Sequence, residues 1–402
     1  MMMNDSIDDL PELLLVEIIC RLSCIKFVFQ CKCVSKRWCE LISSSHFVGQ
    51  YVRRQRDLKK PILGTLVVQG TFFHVENEDD LMSLQLPVIS EAAAEQKLFV
   101  VGACNDLVLC CPSKIDQREY YICNPYTKKW VALPPPPRIH YFVSIGFICD
   151  PYCNYNSSSS FDDDVCINAE YRWRVVRLRP EFYVDIFFSE TGEWRESANV
   201  VCGSRKYFDI VTAGVACNGK LYFAGTDCVT SSYVLELDPF QGISNISTDG
   251  DHIIVDKCRF SLAPLDMSSE LRAHGMSIVA KSEIWHSVSE FVIGHHLSVW
   301  ELDTGDDNLK WRLVVDQVPF SQMDSSNSED PFMPLDQWGK TAIGFHPNIE
   351  AIYVDAGKII KCNFGARMLE LVPEIRSRGL DWNRFYIHPI VLPWWPTPVP
   401  SL

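Results

Sequence analysis

The spacing of apolar residues divides this chain in two. From Asp8 to about Arg54 the period is helical. Leu10, Leu14, Ile18 and Leu22 recur every four residues, and Leu15 and Ile19 widen the stripe. Asp8 and Asp9 suit the positive end of a helix, and Pro11 suits its first turn, where a missing N–H costs nothing. A second apolar group runs Phe27, Val28, Cys31, Val34, Trp38, Leu41 and Ile42 before Ser43–Ser45 break it. The pattern predicts two or three short helices. So small a module forms only a modest core, and part of its apolar surface awaits a partner.

Beyond Pro61 the period falls to two. Short strands are predicted at 62–68, 98–101, 107–111, 175–178, 184–188, 221–223, 233–237, 278–280, 299–302, 352–354 and 359–361. Turn pairs separate them: Asn105-Asp106, Thr191-Gly192, Asn218-Gly219 and Thr304-Gly305. Glu91–Gln96 suits a single turn or short helix. The expected class is therefore an α+β multidomain chain: a small all-α module at 8–54, a linker at 55–61, and an all-β domain of short antiparallel blades at 62–402.

The strands repeat as a module. Cys104-Asn105-Asp106-Leu107 is echoed by Cys217-Asn218-Gly219-Lys220-Leu221, an offset of 113 residues, and Asn124-Pro125 by Asp238-Pro239, an offset of 114. Related turns fall at Thr191-Gly192, Thr304-Gly305 and Asn363–Gly365. Trp130, Trp194 and Trp311 each follow a turn by a few residues. Intervals of roughly 45–65 residues fit kelch-like blades carrying loop insertions. A radial array hides most strand edges, so a β-propeller is favoured over a large sandwich. Asn154–Asp164, Gly242–Gly250 and Asp324–Asp330 read as polar loops, and Pro134–Pro137 as a stiff crossing between blades. The apolar Pro393–Pro400 is expected to dock and close the domain, with an exposed ligand motif as the alternative.

Composition narrows the function classes. The 402 residues are 47% hydrophobic and 22% charged, with a formal net charge of −14. Such a balance disfavours binding through phosphate neutralisation, so no nucleic-acid partner is expected. The basic cluster Arg53, Arg54, Arg56, Lys59 and Lys60 reads as a solvated linker. The 17 cysteines are odd in number, and the acidic N-terminus is not a signal peptide. They are expected to be reduced and mostly buried, in an intracellular protein of the cytoplasm, the nucleus or both. No apolar run approaches a membrane span.

The N-terminal segment resembles the F-box family. Its hallmarks stand as Leu10-Pro11-Glu12-Leu13-Leu14, Ile18-Ile19-Cys20-Arg21-Leu22, Val34-Ser35-Lys36-Arg37-Trp38, Leu41-Ile42 and Phe47. Phe27–Gln30 and Cys24 depart from the usual pattern. The remainder resembles the plant F-box-associated, kelch-like propeller domains. This likeness rests on 123–130 (CNPYTKKW), Leu133-Pro134, Gly146-Phe147, 171–176 (YRWRVV) and 189–194 (SETGEW). The resemblance implies an F-box that binds a Skp adaptor on a cullin scaffold, while the propeller selects a target protein for ubiquitination. It implies no cofactor. The adaptor-binding residues are then expected among Leu10, Pro11, Leu14, Leu15, Ile18, Ile19, Leu22, Val34 and Trp38.

The sequence carries none of the common catalytic signatures: GxSxG, the P-loop, HExxH, the Rossmann fingerprint and paired CxxC zinc frames. Cys31-Lys32-Cys33 and Cys110-Cys111 are poorly placed for tetrahedral binding by themselves. His295-His296 precedes a strand in which neighbours point to opposite faces. Asp162–Asp164 reads as a solvated cluster. The expectation is a non-catalytic substrate adaptor. The alternatives are an F-box scaffold or sugar-binding module outside a ligase, or a propeller hydrolase or lyase with acidic or histidine groups at its channel.

Overall fold

The computed structural model describes residues 7, 10–22, 25–58, 63–68, 71–74, 98–113, 117–141, 143–150, 171–179, 183–197, 208–210, 214–217, 219–227, 232–240, 243–245, 252–255, 258–262, 276–281, 284–289, 296–303, 310–319, 324–325, 341–345, 351–355, 359–363, 366, 368–371, 387–392 and 395–400. Asp8, Asp9, Cys24, Lys59–Pro61, Glu91–Gln96, Asn154–Asp164, Asn218, His295 and Thr304-Gly305 lie outside these residues.

Four helices open the chain: α1 (Glu12–Cys20), α2 (Ile25–Cys31), α3 (Lys36–Ser43) and α4 (Ser45–Asp57). The serine break is real, but it separates two helices. Ser44 donates to the Leu41 carbonyl at 2.7 Å, closing α3, and accepts from the Phe47 N–H at 3.2 Å, opening α4. Ser35 caps α3 in the same way, accepting from the Trp38 N–H. α4 continues over Gln55–Asp57, residues read from sequence as linker, because Phe47, Val48, Tyr51, Val52 and Gln55 form its buried face. Arg53 and Arg54 are thus helix residues, and Arg54 reaches Glu17 of α1 at 3.2 Å.

The β-strands form six sheets, counted among the described residues. Blade 1 holds Thr71–His74, Leu63–Val68 and Ile387–Leu392. Blade 2 holds Phe99–Cys104, Leu107–Cys111, Tyr121–Asn124 and Lys129–Ala132. Blade 3 is built on Ser144–Asp150, Arg172–Leu178, Val184–Phe188 and Glu193–Ser197. Blade 4 places Phe208–Ile210 and Val215–Cys217 beside Lys220–Asp227, followed by Ser232–Leu237 and Cys258–Leu262. Blade 5 is Met276–Lys281, Ile284–Ser289, His296–Asp303 and Lys310–Pro319. Blade 6 is Thr341–Phe345, Ala351–Asp355, Ile359–Asn363 and Met368–Leu371. The innermost strands touch in that order, and Thr341–Phe345 touches Ile387–Leu392, so the ring closes. Closure joins the ends of the domain, since Leu63–Val68 pairs antiparallel with Ile387–Leu392. A ring of this kind leaves few edges for pairing with other chains.

Two segments read as loops contribute edge strands. Ile243–Asn245 pairs with His252–Val255, which runs parallel to the outer strand of blade 3, and Asp324–Ser325 lies parallel to Met368–Leu371. Polar sequence does not prevent this, because an open edge offers backbone hydrogen bonds to any chain passing beside it.

Near the axis the blades crowd together. The Gly214 N–H donates to the Ile145 carbonyl at 2.6 Å, and Gly146 and Gly214 form a parallel bridge between blades 3 and 4. A Cβ on Gly214 would stand 2.5 Å from the Phe223 ring and 2.9 Å from the Gly146 Cα, so neither contact admits a side chain. Around them Leu109, Ile122, Phe147, Val175, Phe187, Leu221 and Phe223 form one apolar core across blades 2 to 4.

The C-terminal tail docks, as its apolar composition predicts, and joins the two modules. Asp106, at the turn between the first two strands of blade 2, accepts the Thr397 N–H at 3.1 and 3.2 Å. Asn124 donates to the Thr397 carbonyl and to Asp106, each at 2.8 Å. Two residues earlier the Trp395 ring stacks on Phe29 of α2, with centroids 5.3 Å apart, and meets Phe47 and Tyr51 of α4 edge-on. Lys32 lies over both Phe29 and Trp395. The helical core is therefore completed by the tail and by Tyr126 of blade 2. Trp395→Ala is expected to cost about 3 kcal/mol, the low end for a core aromatic because the ring is only part-buried. Urea unfolding should show the helical module melting ahead of the propeller.

Asp106 also sets a pH dependence. Burial pushes its carboxyl up to about 6, against the pull of the hydrogen bonds from Thr397 and Asn124. An acid raised above its unfolded value stabilises the fold fully below that unfolded value, and the contribution is lost as pH rises through about 6. The stability difference between wild type and Asp106→Asn is expected to shift by roughly 2 kcal/mol between pH 4 and pH 7, against the wild type. Urea midpoints across that range measure it.

Candidate functional site

α1 reads Glu-Leu-Leu-Leu-Val-Glu-Ile-Ile-Cys, with seven apolar residues in nine. A helix apolar on every side needs cover on every side. The protein itself covers one side: Leu15, Val16, Ile19 and Cys20 are buried with Val28, Trp38, Leu41 and Ile42. The other side is open. Leu13 is 74% exposed, Leu14 52% and Ile18 43%; Phe27 of α2 is 47% exposed and Val34, before α3, 56%. Leu14 and Ile18 stand one helical turn apart and present adjoining side chains.

The start of α1 is fixed from two directions. The Pro11 carbonyl accepts the Leu14 and Leu15 N–H groups at 3.0 and 3.1 Å, and Arg37 of α3 donates to the Leu10 carbonyl at 2.8 Å. Glu17 sits on the same helix between Arg21 and Arg54, and the Arg21 hydrogen bond, as the largest cause, holds its carboxyl below the ordinary value. These exposed pairs orient side chains and add little stability.

Of the residues expected to meet an adaptor, Pro11, Leu14, Ile18 and Val34 are exposed, and Leu10 and Leu22 are half-buried. Leu15, Ile19 and Trp38 lie inside the module, where they hold its core. Sequence spacing places all of them on one wide stripe, and only the packing of α1 separates the two sides. Leu13 and Phe27, exposed beside them, were not among the residues expected. The all-round apolarity of α1 was the available signal for Leu13; for Phe27 the sequence offers none, because a helical stripe does not say which of its members faces out.

On the propeller, most landmark residues are structural. Trp194 donates to the Pro134 carbonyl at 2.8 Å and packs on Tyr120 and Phe187, tying blade 2 to blade 3. Asn105, Gly192 and Gly219 hold positive φ at their turns. Beneath the 134–141 crossing lies a buried charge cluster. Asp185 pairs with Arg177 at 2.8 Å and Arg179 at 3.0 Å; Arg179 also pairs with Glu196, and Arg177 bonds Tyr120 and the Arg138 carbonyl. Above it Ile139 and Tyr141 are exposed, and Trp130 on the outer strand of blade 2 is partly so.

A four-helix module with an open apolar face, fixed to a closed ring of antiparallel blades, defines an F-box protein with a propeller domain. Residues 7–48 match the F-box domain model, and residues 71–336 match the model described as "F-box protein At3g26010-like, beta-propeller". The chain belongs to that F-box propeller family. It is 22% identical over 322 residues to the F-box protein At5g49610 of Arabidopsis thaliana, covering 77% of this chain and 81% of the relative. It is 28% identical over 198 residues to the putative F-box/kelch-repeat protein At1g15680 of the same plant, covering 46% and 45%. Among solved structures it is similar to the RRP9 WD40 repeats, at 10% identity and a TM-score of 0.34, covering 77% of this chain and 80% of that one. Among the described residues no helix is long and apolar enough to cross a membrane.

Proposed function

We propose that this chain is the substrate-recognition subunit of a Skp–cullin–F-box ubiquitin ligase. The observation that carries the reading is the open apolar side of α1, Leu13, Leu14 and Ile18, beside exposed Phe27 and Val34. With Leu10, Pro11 and Leu22 at its margin, this face docks the Skp adaptor. Leu15, Ile19 and Trp38 act from behind by holding the helices in place. The propeller holds a target protein, and exposed Ile139, Tyr141 and Trp130 are its first candidate anchors, since aromatic residues dominate interface hot spots.

The chain supplies no chemistry of its own in this scheme. It brings a target lysine near a ubiquitin-charged enzyme, and the rate gain comes from proximity. The contacts of Trp395 and Thr397 suit that role, because they fix the docking face relative to the propeller. Reconstitution tests the function. Mixed with a purified Skp adaptor, a cullin and its RING partner, the chain should enter one complex and support ubiquitin transfer, read first on itself. A chain that binds the adaptor yet never joins the cullin would be a scaffold instead.

A further inference from the structure

The innermost strands of blades 2 and 3 each carry a cysteine near their end: Cys104 closes Phe99–Cys104, and Cys149 sits one residue before the end of Ser144–Asp150. Their sulfurs lie 3.3 Å apart, both side chains buried. Neither sulfur is in purely apolar surroundings. The Asn105 side-chain amide donates to the Cys149 Sγ at 3.1 Å, and the Cys149 backbone N–H points to the Cys104 Sγ at 3.4 Å. Asn105 reaches this position because it occupies the left-handed turn, φ 54°, that joins the first two strands of blade 2.

We propose that Cys104 and Cys149 are a redox-active dithiol that closes to a disulfide between blades 2 and 3 when exposed to a peroxide. Each sulfur accepts one N–H, Cys149 from the Asn105 amide and Cys104 from the Cys149 backbone, and these donors steady the negative charge that develops on sulfur during attack. Cys149, which accepts the Asn105 side-chain amide, is the attacking sulfur. It attacks one peroxide oxygen, the O–O bond breaks, and the departing hydroxide leaves as water after taking a proton. Cys149 is then a sulfenic acid, and Cys104 attacks its sulfur, forms the S–S bond and expels a second water. Overall, two thiols and one hydrogen peroxide give one disulfide and two waters; the thiols lose two electrons and the peroxide gains them. Bond formation requires the sulfurs to approach from 3.3 Å to about 2.05 Å.

The other described cysteines make the contrast. Cys110 is fully buried, and the hydrogen bond with Cys123, together with burial, pushes its thiol well up. Burial pushes Cys20 up to about 11. Both stay protonated and unreactive. Cys33 and Cys39 are exposed and stand as the reference for accessible thiols. Closure would act on the turn that carries Asp106, the residue holding Thr397, and so on the tail that joins propeller to helices.

The full chain is treated with hydrogen peroxide, its remaining thiols are blocked, and non-reduced peptides are mapped by mass spectrometry. The expected product is a peptide pair linked through Cys104 and Cys149, formed before Cys110 and Cys123 react. Thermal unfolding should shift upward by a few degrees and return on adding dithiothreitol, because the bridge closes a long loop. Asn105→Gly keeps the positive-φ turn and both thiols but removes the amide donor, and it should slow closure at least tenfold. If Cys104 and Cys149 remain free while Cys33 and Cys39 are fully oxidised, or if Asn105→Gly closes at the wild-type rate, the proposal is overturned.

Discussion

Leu14→Asp with Ile18→Asp is expected to weaken Skp-adaptor binding at least ~100-fold while leaving the fold intact. Each side chain buried at an interface contributes about 1.5–3 kcal/mol, and a carboxylate placed there instead must be desolvated without a partner. A hundredfold loss, about 2.7 kcal/mol, needs only part of that sum. The fold survives because both positions are exposed in the free chain. Circular dichroism and the melting temperature should therefore match the wild type, and titration calorimetry with purified adaptor should not. Leu15→Asp makes the contrast: Leu15 is 0% exposed, so that variant should lose the module rather than the partner.

Asp185→Ala is expected to cost 3–5 kcal/mol, roughly what breaking a buried ion pair costs. Asp185, Arg177 and Arg179 are all buried; Arg177 and Asp185 pair across neighbouring strands of blade 3, and Arg179 follows the end of the Arg172–Leu178 strand. Removing the carboxylate leaves two guanidiniums to Glu196, His140, Tyr120 and the Arg138 carbonyl, of which Glu196 alone is an anion. Burial already pushes the Asp185 carboxyl up, with Arg179 and Arg177 opposing, so the site tolerates charge only as a complete set. The urea midpoint should fall clearly. Loss should be smaller when Arg177→Met accompanies it, since the orphaned cation goes with its partner.

How much of this was legible beforehand depended on whether a residue's neighbours were close in sequence. The sequence-predicted strands all fall on strands of the structure, because alternation is a local property. Ser144–Asp150 was missed for a physical reason: an innermost strand is covered on both faces, so its apolar residues run together instead of alternating. The paired turns at Asn105 and Gly219 were readable from residue type, since each needs positive φ. Two features were not readable. Phe29, Phe47 and Tyr51 look like ordinary core residues, and nothing local says that their core is finished by Trp395, more than 300 residues away. Likewise Arg177 and Asp185 read as charged residues in a strand, and only the stacking of blade 2 on blade 3 makes them a buried cluster. At the proposed docking face, the family motif located the helices, while the division between Leu15 and Ile19 inside and Leu14 and Ile18 outside required their packing.

Direct titration of a purified Skp adaptor into the folded wild-type chain is the decisive measurement. Saturable one-to-one binding, with a negative heat-capacity change from the burial of Leu13, Leu14 and Ile18, is the result expected here. A folded chain that gives no heat and no complex would mean that the open side of α1 serves another partner, and the ligase reading would fall with it.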